Sequence, residues 1–183
     1  MSLLSDLYAP LSSGDITLVP VSEHHRDGLR AACAEDGDIW DIYPVNFSRD
    51  YFDAAFVTLL NADARMAYVI EHAGAIVGMT AWHDFSAAKL TTHIGNSYIV
   101  PRLRGSGLNT RVKHLLINHA IACGFRRIGF MVDLRNIRSQ RAVEKLGGVR
   151  EGVLRAERVT WTGHVRDTVV FSILADEWLA RLR

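Results

Sequence analysis

Hydrophobic positions along the chain switch between a spacing of two and a spacing near 3.6, which predicts strands interleaved with helices. Residues 16–21 alternate as a first strand, and 23–34 carry a helical stripe. The run WDIYPVNF (40–47) is too aromatic and broken for either and predicts a loop, after which Ser48 stands as the N-cap of a helix through Leu60. Residues 67–72 and 75–84 predict two strands around a turn at Gly74, and 92–100 (THIGNSYIV) a third, closed by Pro101. Leu108, Val112, Leu115, Leu116 and Ile121 recur at helical spacing within a central helix over 106–123, ended by Gly124. Residues 127–132 predict a buried strand, and 137–146 a short helix capped by Asn136 and stopped by Gly147-Gly148. A hairpin of 153–161 and 165–174, turning at Thr162-Gly163, closes the pattern. Four helices among strands predict a mixed α/β sheet.

The densest chemical signal is Arg104-Gly105-Ser106-Gly107-Leu108-Asn109-Thr110, between the 92–100 strand and the central helix. Such a turn presents unpaired backbone N–H groups with a helix dipole behind them, which suits phosphate oxygens. It is not a P-loop, because Leu108 and Asn109 stand where Lys and Ser/Thr are needed, nor a dinucleotide fingerprint, because Thr110 replaces the third Gly. Taken alone, the loop reads equally well as a ligand-free turn.

Two spaced motifs decide between those readings. Arg104-x-x-Gly107-x-Asn109 resembles the Arg/Gln-x-x-Gly-x-Gly/Ala signature of the GNAT N-acetyltransferases, with Asn in the last small-residue position. Downstream, Asn136-x-x-Ser139, Glu144-Lys145-Leu146-Gly147 and Glu151-Gly152 resemble the RimJ/RimL-like branch of that family. The resemblance implies a single-domain α/β fold whose mixed sheet splays between two parallel strands, here 92–100 and 127–132. It implies acetyl-CoA in that wedge, held by backbone groups of Ile99 and Val100, by Arg104, Gly105, Ser106, Gly107, Leu108, Asn109 and Thr110, and by Asn136 and Ser139.

Composition changes this picture little. One domain over 14–183, preceded by a flexible or loosely packed leader over 1–13, suits 183 residues that are 49% hydrophobic. A formal net charge of +1 implies no general attraction to nucleic acid or anionic membrane, so Arg102, Arg104 and Arg111 form only a local basic patch. Cys33 and Cys123, two and far apart, fit reduced, buried thiols, and the first 14 residues lack a signal-peptide pattern; a cytoplasmic location is expected. No His/Cys/Asp/Glu group has metal-ligand spacing, so no metal is expected. A homodimer is compatible with the sequence.

The implied chemistry is transfer of an acetyl group from a thioester to an amine. A backbone N–H near Tyr98 or Ile99 would stabilise the developing oxyanion. The GNAT tyrosine that protonates the leaving thiolate falls at Val143, which has no donor, so Ser139 is its expected substitute; its other reading is as part of the helix cap. His93 is the candidate general base, with His83 next, although a lone strand histidine also serves as a packed residue. Trp40, Tyr43, Trp82, His83 and Tyr98 are candidate acceptor-binding residues, with Asp38 and Asp41 available to attract a cationic amine; Trp82 and Tyr98 also suit the core, and Trp161 and Trp178 the hairpin. An α-amine of pKa near 7.8 is about 15% neutral at pH 7 and a lysine amine about 0.04%, a difference of roughly 3.5 kcal/mol. A chain without a strong base therefore matches a protein N-terminal α-amine or a small-molecule amine. Two other readings fit: a non-catalytic coenzyme A-binding module, and a protein holding a nucleoside phosphate on the glycine loop.

Overall fold

A computed structural model describes residues 6–60 and 65–182. Eight strands form one sheet in the order β1-β2-β3-β4-β5-β6-β8-β7. They are β1 Leu11–Ser13, β2 Ile16–Pro20, β3 Arg65–His72, β4 Ala75–Ser86, β5 Thr91–Ile99, β6 Arg127–Asp133, β7 Val149–Val159 and β8 Val165–Leu174. Every neighbouring pair is antiparallel except β5 and β6. Among the described residues, five α-helices flank the sheet: α1 Arg26–Cys33, α2 Phe52–Leu60, α3 Leu108–Ala122, α4 Ile137–Lys145 and α5 Ala175–Arg181.

The parallel pair follows from connectivity. Antiparallel β3 and β4 are joined by the tight turn at Gly74, whereas β5 reaches its parallel neighbour β6 through the long helix α3, as a crossover requires. Leu108, Val112, Leu116, Ile117 and Ala120 bury one face of α3 on the sheet. Indole Nε1 of Trp178 in α5 donates to Asn118 Oδ1 at 2.7 Å, and its ring meets that of His114 at 4.7 Å. Trp178 therefore packs on α3. Trp161 leaves the hairpin: its Nε1 donates to the Trp40 carbonyl at 2.8 Å.

Several boundaries differ from the pattern. α1 begins at Arg26, because Ser22 and His25 cap a 3-10 turn over Glu23–His25 in which the Ser22 N–H donates to His25 Nδ1 at 3.0 Å. α2 begins at Phe52, not after Ser48, whose N–H is taken by Asn46 Oδ1 at 2.8 Å in a local turn. β7 starts at Val149 because two register shifts, one at left-handed Ala156, break its alternation. From residue 6 on, the stretch ahead of β2 is docked: Leu7 is buried and Tyr68 Oη donates to the Leu7 and Ala9 carbonyls at 3.0 Å. Cys33 and Cys123 are free thiols. Among the described residues no helix is long and apolar enough to cross a membrane.

Candidate active site

β5 and β6 are paired only at Thr91↔Arg127, Thr92↔Ile128 and His93↔Gly129. Beyond His93 the strands diverge: β5 stays on β4 up to Gly78↔Ile99, and β6 stays on β8 up to Asp133↔Thr168. A cavity of about 950 Å³ runs through this gap. Ile94 to Ser97 and Ile99 line one wall, Phe130 to Asp133 the other, and Arg104, Gly105, Gly107, Asn109 and Thr110 close one end.

At that end, Gly107 sits at φ +87° and turns the chain into α3 without a side-chain cap. Ser106 Oγ donates to the Leu103 carbonyl at 2.7 Å and accepts the Leu108 N–H at 3.3 Å, while the Asn109 and Thr110 N–H groups start the helix beside the cavity. Ser106 and Leu108 do not line the cavity; the Leu108 side chain belongs to the core. An Ala at 107 would hold the left-handed conformation only at a cost of about 1–2 kcal/mol. Gly107→Ala is expected to raise KM for acetyl-CoA about tenfold with a smaller change in kcat, read by steady-state kinetics.

The expected basic patch is already neutralised. Arg104 pairs with Asp36 at 2.5 Å and donates through Nε to the Ile99 carbonyl at 3.0 Å, Arg102 pairs with Glu35 at 3.3 Å, and Arg111 pairs with Asp15. The basic side chains left at this end are Arg138, Arg141 and Lys145 of α4, which line the cavity without an acidic partner among the described residues. Their i, i+3 and i+7 spacing is the available sequence signal.

On β5 the main-chain groups divide by strand alternation. The Val100 N–H is bound to the Val77 carbonyl at 3.0 Å and Tyr98 faces Met79, so both turn to β4 rather than to the gap. Ile99 lies between them and turns its N–H toward the gap, its carbonyl being taken by Arg104. Of Tyr98, Ile99 and Val100, only Ile99 thus turns its N–H toward the gap.

Trp40, Trp82 and Tyr98 are fully buried and do not line the cavity. Alternation turns Trp82 to the face opposite His83, while Tyr98 Oη donates to the Ala32 carbonyl at 2.8 Å and its ring lies 4.8 Å from that of Trp40. Tyr43 does line the cavity, donating to the Ser97 carbonyl at 2.5 Å. Asp38 and Asp41 sit outside the lining, in the turn Asp38–Ile42.

His83 and His93 are cross-strand partners with stacked rings 5.5 Å apart. Neighbouring glycines on the adjoining strands make the room: a Cβ on Gly95 would lie 2.4 Å from His83 Nε2, and one on Gly129 2.2 Å from His93 Cδ2. His83 Nδ1 is 2.8 Å from Asp84 Oδ2 and lines the cavity; His93 does not, and its buried Nδ1 lies 4.0 Å from the same oxygen. The donor atoms of His83, Asp84 and His93 lie within 4.8 Å of one another, a convergence that their sequence spacing hides. Burial lowers the pKa of both imidazoles below the ordinary 6.5, with Asp84 opposing that shift. A base of depressed pKa stays neutral to lower pH, so the acidic fall in kcat/KM is expected below pH 6.5. His83→Gln should flatten that limb; an identical pH–rate profile would exclude His83 as the base.

Asn136 Oδ1 accepts the Ser139 N–H at 3.0 Å and caps α4. The cap uses the amide of Ser139 and not its hydroxyl, which is left at the cavity wall beside Val143. Lys113 of α3 is another site residue that sequence reasoning missed. It is buried, lines the cavity, and donates to Thr80 Oγ1 at 3.3 Å and to Ser97 Oγ, with no carboxylate partner among the described residues. Desolvation lowers its pKa from 10.5 to about 7. The visible signal is a charge inside the apolar stripe Leu116, Ile117 and Ala120, at i+3, i+4 and i+7.

A family model described as an acetyltransferase (GNAT) domain matches residues 15–149. The chain belongs to the GNAT acetyltransferase family. Among solved structures, a putative acetyltransferase from T. thermophilus is 30% identical with a TM-score of 0.85, over 94% of each chain. A probable GNAT-family acetyltransferase from Chromobacterium violaceum is 27% identical with a TM-score of 0.86, over 93% of this chain and 88% of its own. Mycobacterium smegmatis RimJ in complex with CoA-disulfide shares the fold at 20% identity and a TM-score of 0.76, over 92% of this chain and 87% of its own. No curated protein gave a significant match. The protein is an acetyl-CoA-dependent N-acetyltransferase. The residues fit that cosubstrate: helix-start N–H groups and α4 cations suit its phosphates, and the unpaired edge of β5 suits its amide-bearing arm.

Proposed function

We propose that this acetyltransferase acts on a primary amine, either a protein N-terminal α-amine or a small-molecule amine, by direct attack within a ternary complex, as a RimJ/RimL-like enzyme. The observation that carries this reading is the gap between β5 and β6, which opens the cavity from the glycine loop at one end to His83 at the other. Acetyl-CoA supplies the thioester. The Ile99 N–H holds the oxygen on which charge develops, the Ser139 hydroxyl donates to the departing sulfur, and His83 accepts the amine proton directly or through water.

Thiol release from acetyl-CoA over a panel of amines, including short peptides of varied first residue, tests the proposal. Saturable, amine-dependent release is expected, with α-amines ahead of lysine side chains at pH 7. Coenzyme A binding without release from any amine would establish the non-catalytic module instead.

A further inference from the structure

The charge at the acceptor end is opposite to what a cationic acceptor would need. Strand register puts Arg65, His83, His93 and Gly129 in one row across β3, β4, β5 and β6. Period-two alternation along β6 and β8 keeps Asp133 and Arg166 on that same face. Arg158 of β7 stands opposite Arg166. Arg65, Arg158 and Arg166 all line the cavity. They project on the face away from Lys113 and α3, and apart from the α4 cations that serve the phosphate end.

Arg166 is the best-defined of the three. Its side chain is 5% exposed, yet its buried Nε has no hydrogen-bond partner among the described residues. Its Nη2 donates to the Met131 carbonyl at 3.2 Å, and its nearest carboxylate, Asp133, is 3.9 Å away and already held by Arg135 Nε and Nη2 at 3.0 and 2.8 Å. Glu157 grips Arg158 at 2.6 and 2.7 Å and also accepts from Thr168. The charge of Arg158 weighs against protonation of both Arg65 and Arg166, while Asp84 acts on Arg65 and Arg158, so the groups share one field. Asp84 and Asp133 are the acids that line the cavity. With Asp133 committed to Arg135 and Glu157 to Arg158, neither Arg65 nor Arg166 has a carboxylate within hydrogen-bond distance among the described residues. A buried guanidinium with an unanswered N–H is built for a further anion, which its fork can grip through two donors.

We propose that Arg65, Arg158 and Arg166 form an anion subsite, and that the acceptor carries a carboxylate or phosphate group within a few bonds of its nucleophilic amine. This rests on the acetyl-transfer reading and narrows it: polyamines and plain alkylamines are poor acceptors, and acidic amines are good ones. The anion also orients the amine toward His83, since Arg65 stands opposite His83 in the β3–β4 ladder.

The test compares matched acceptors in the thiol-release assay, with kcat/KM corrected to the neutral amine. The arms are an α-amino acid against its amide, a peptide beginning with Asp against one beginning with Asn, and phosphoethanolamine against ethanolamine. A preference of at least tenfold for the anionic member is expected, and the arm that shows it names the carrier of the charge. In Arg158→Gln and Arg65→Gln, whose side chains are less buried than that of Arg166, the preference should fall toward unity through KM, with coenzyme A affinity measured as the check on folding. Parity in all three arms, or a preference unchanged in both variants, overturns the subsite. Calorimetric titration of the same acceptors into the coenzyme A complex separates the two ideas. Arginine-dependent binding of the anionic members without thiol release refutes acetyl transfer and keeps the subsite; thiol release from uncharged amines alone does the reverse.

Discussion

Lys113→Met is expected to unfold at a higher temperature than the wild type while turning over at least tenfold more slowly. The stability half follows from linkage. A lysine whose pKa falls from 10.5 to about 7 on folding carries a penalty of about 4–5 kcal/mol whenever both states are protonated. Below pH 7 that penalty is present in full. Between pH 7 and 10.5 the folded lysine is neutral while the unfolded one still binds its proton, so stability rises with pH; above 10.5 the penalty is gone. Methionine fills similar volume, and the two hydroxyls left behind still bond each other at 3.0 Å, with Ser97 also donating to the Gly95 carbonyl at 3.2 Å. Recovery of at least about 2 kcal/mol is expected at pH 6, shrinking toward zero near pH 10.5, by denaturant unfolding across pH. A destabilising charge placed under the β5 bulge at Asn96, itself left-handed at φ +49°, has the form of stability exchanged for activity. An unchanged kcat would make Lys113 a structural cost alone.

Ser139→Ala is expected to lower kcat about 100-fold, or roughly 2.7 kcal/mol, with little change in KM for acetyl-CoA. The alternative role predicts something else. If Ser139 served only the helix cap, alanine would retain it, because the capping donor to Asn136 is the backbone N–H. The variant should then match the wild type in both kinetics and melting temperature. A selective loss of kcat, recovered with a thioester whose leaving thiol has a lower pKa, would assign the hydroxyl to leaving-group protonation.

Local features are readable from the sequence; convergence is not. The β5–α3 turn carries its signal in adjacent glycines, and the α4 cap in Asn136 placed three residues before Ser139, so both are visible. β1 has three residues and α5 seven, too few for periodicity to register. The Asn96 bulge shifts β5 out of phase: counting by twos from His93 puts Tyr98 on the opposite face, whereas the register pairs it with Met79, on the face of Ala81 and His83. His83 and His93 are both candidates by sequence, but only the ladder and two neighbouring glycines reveal that they stack, and that His83 is the one at the cavity. Arg65 comes from β3 and Arg158 and Arg166 from the β7–β8 hairpin, far away in sequence, and nothing local marks their convergence.

The walls of the β5–β6 gap are each fastened from outside, one to β4 and the other to β8 along all of β6. Neither strand can slide across without tearing a ladder on its far side. The wedge is therefore a standing slot, ready before its ligand arrives. Docking there costs little reorganisation, so encounter frequency rather than a slow opening step should govern how fast the enzyme charges itself.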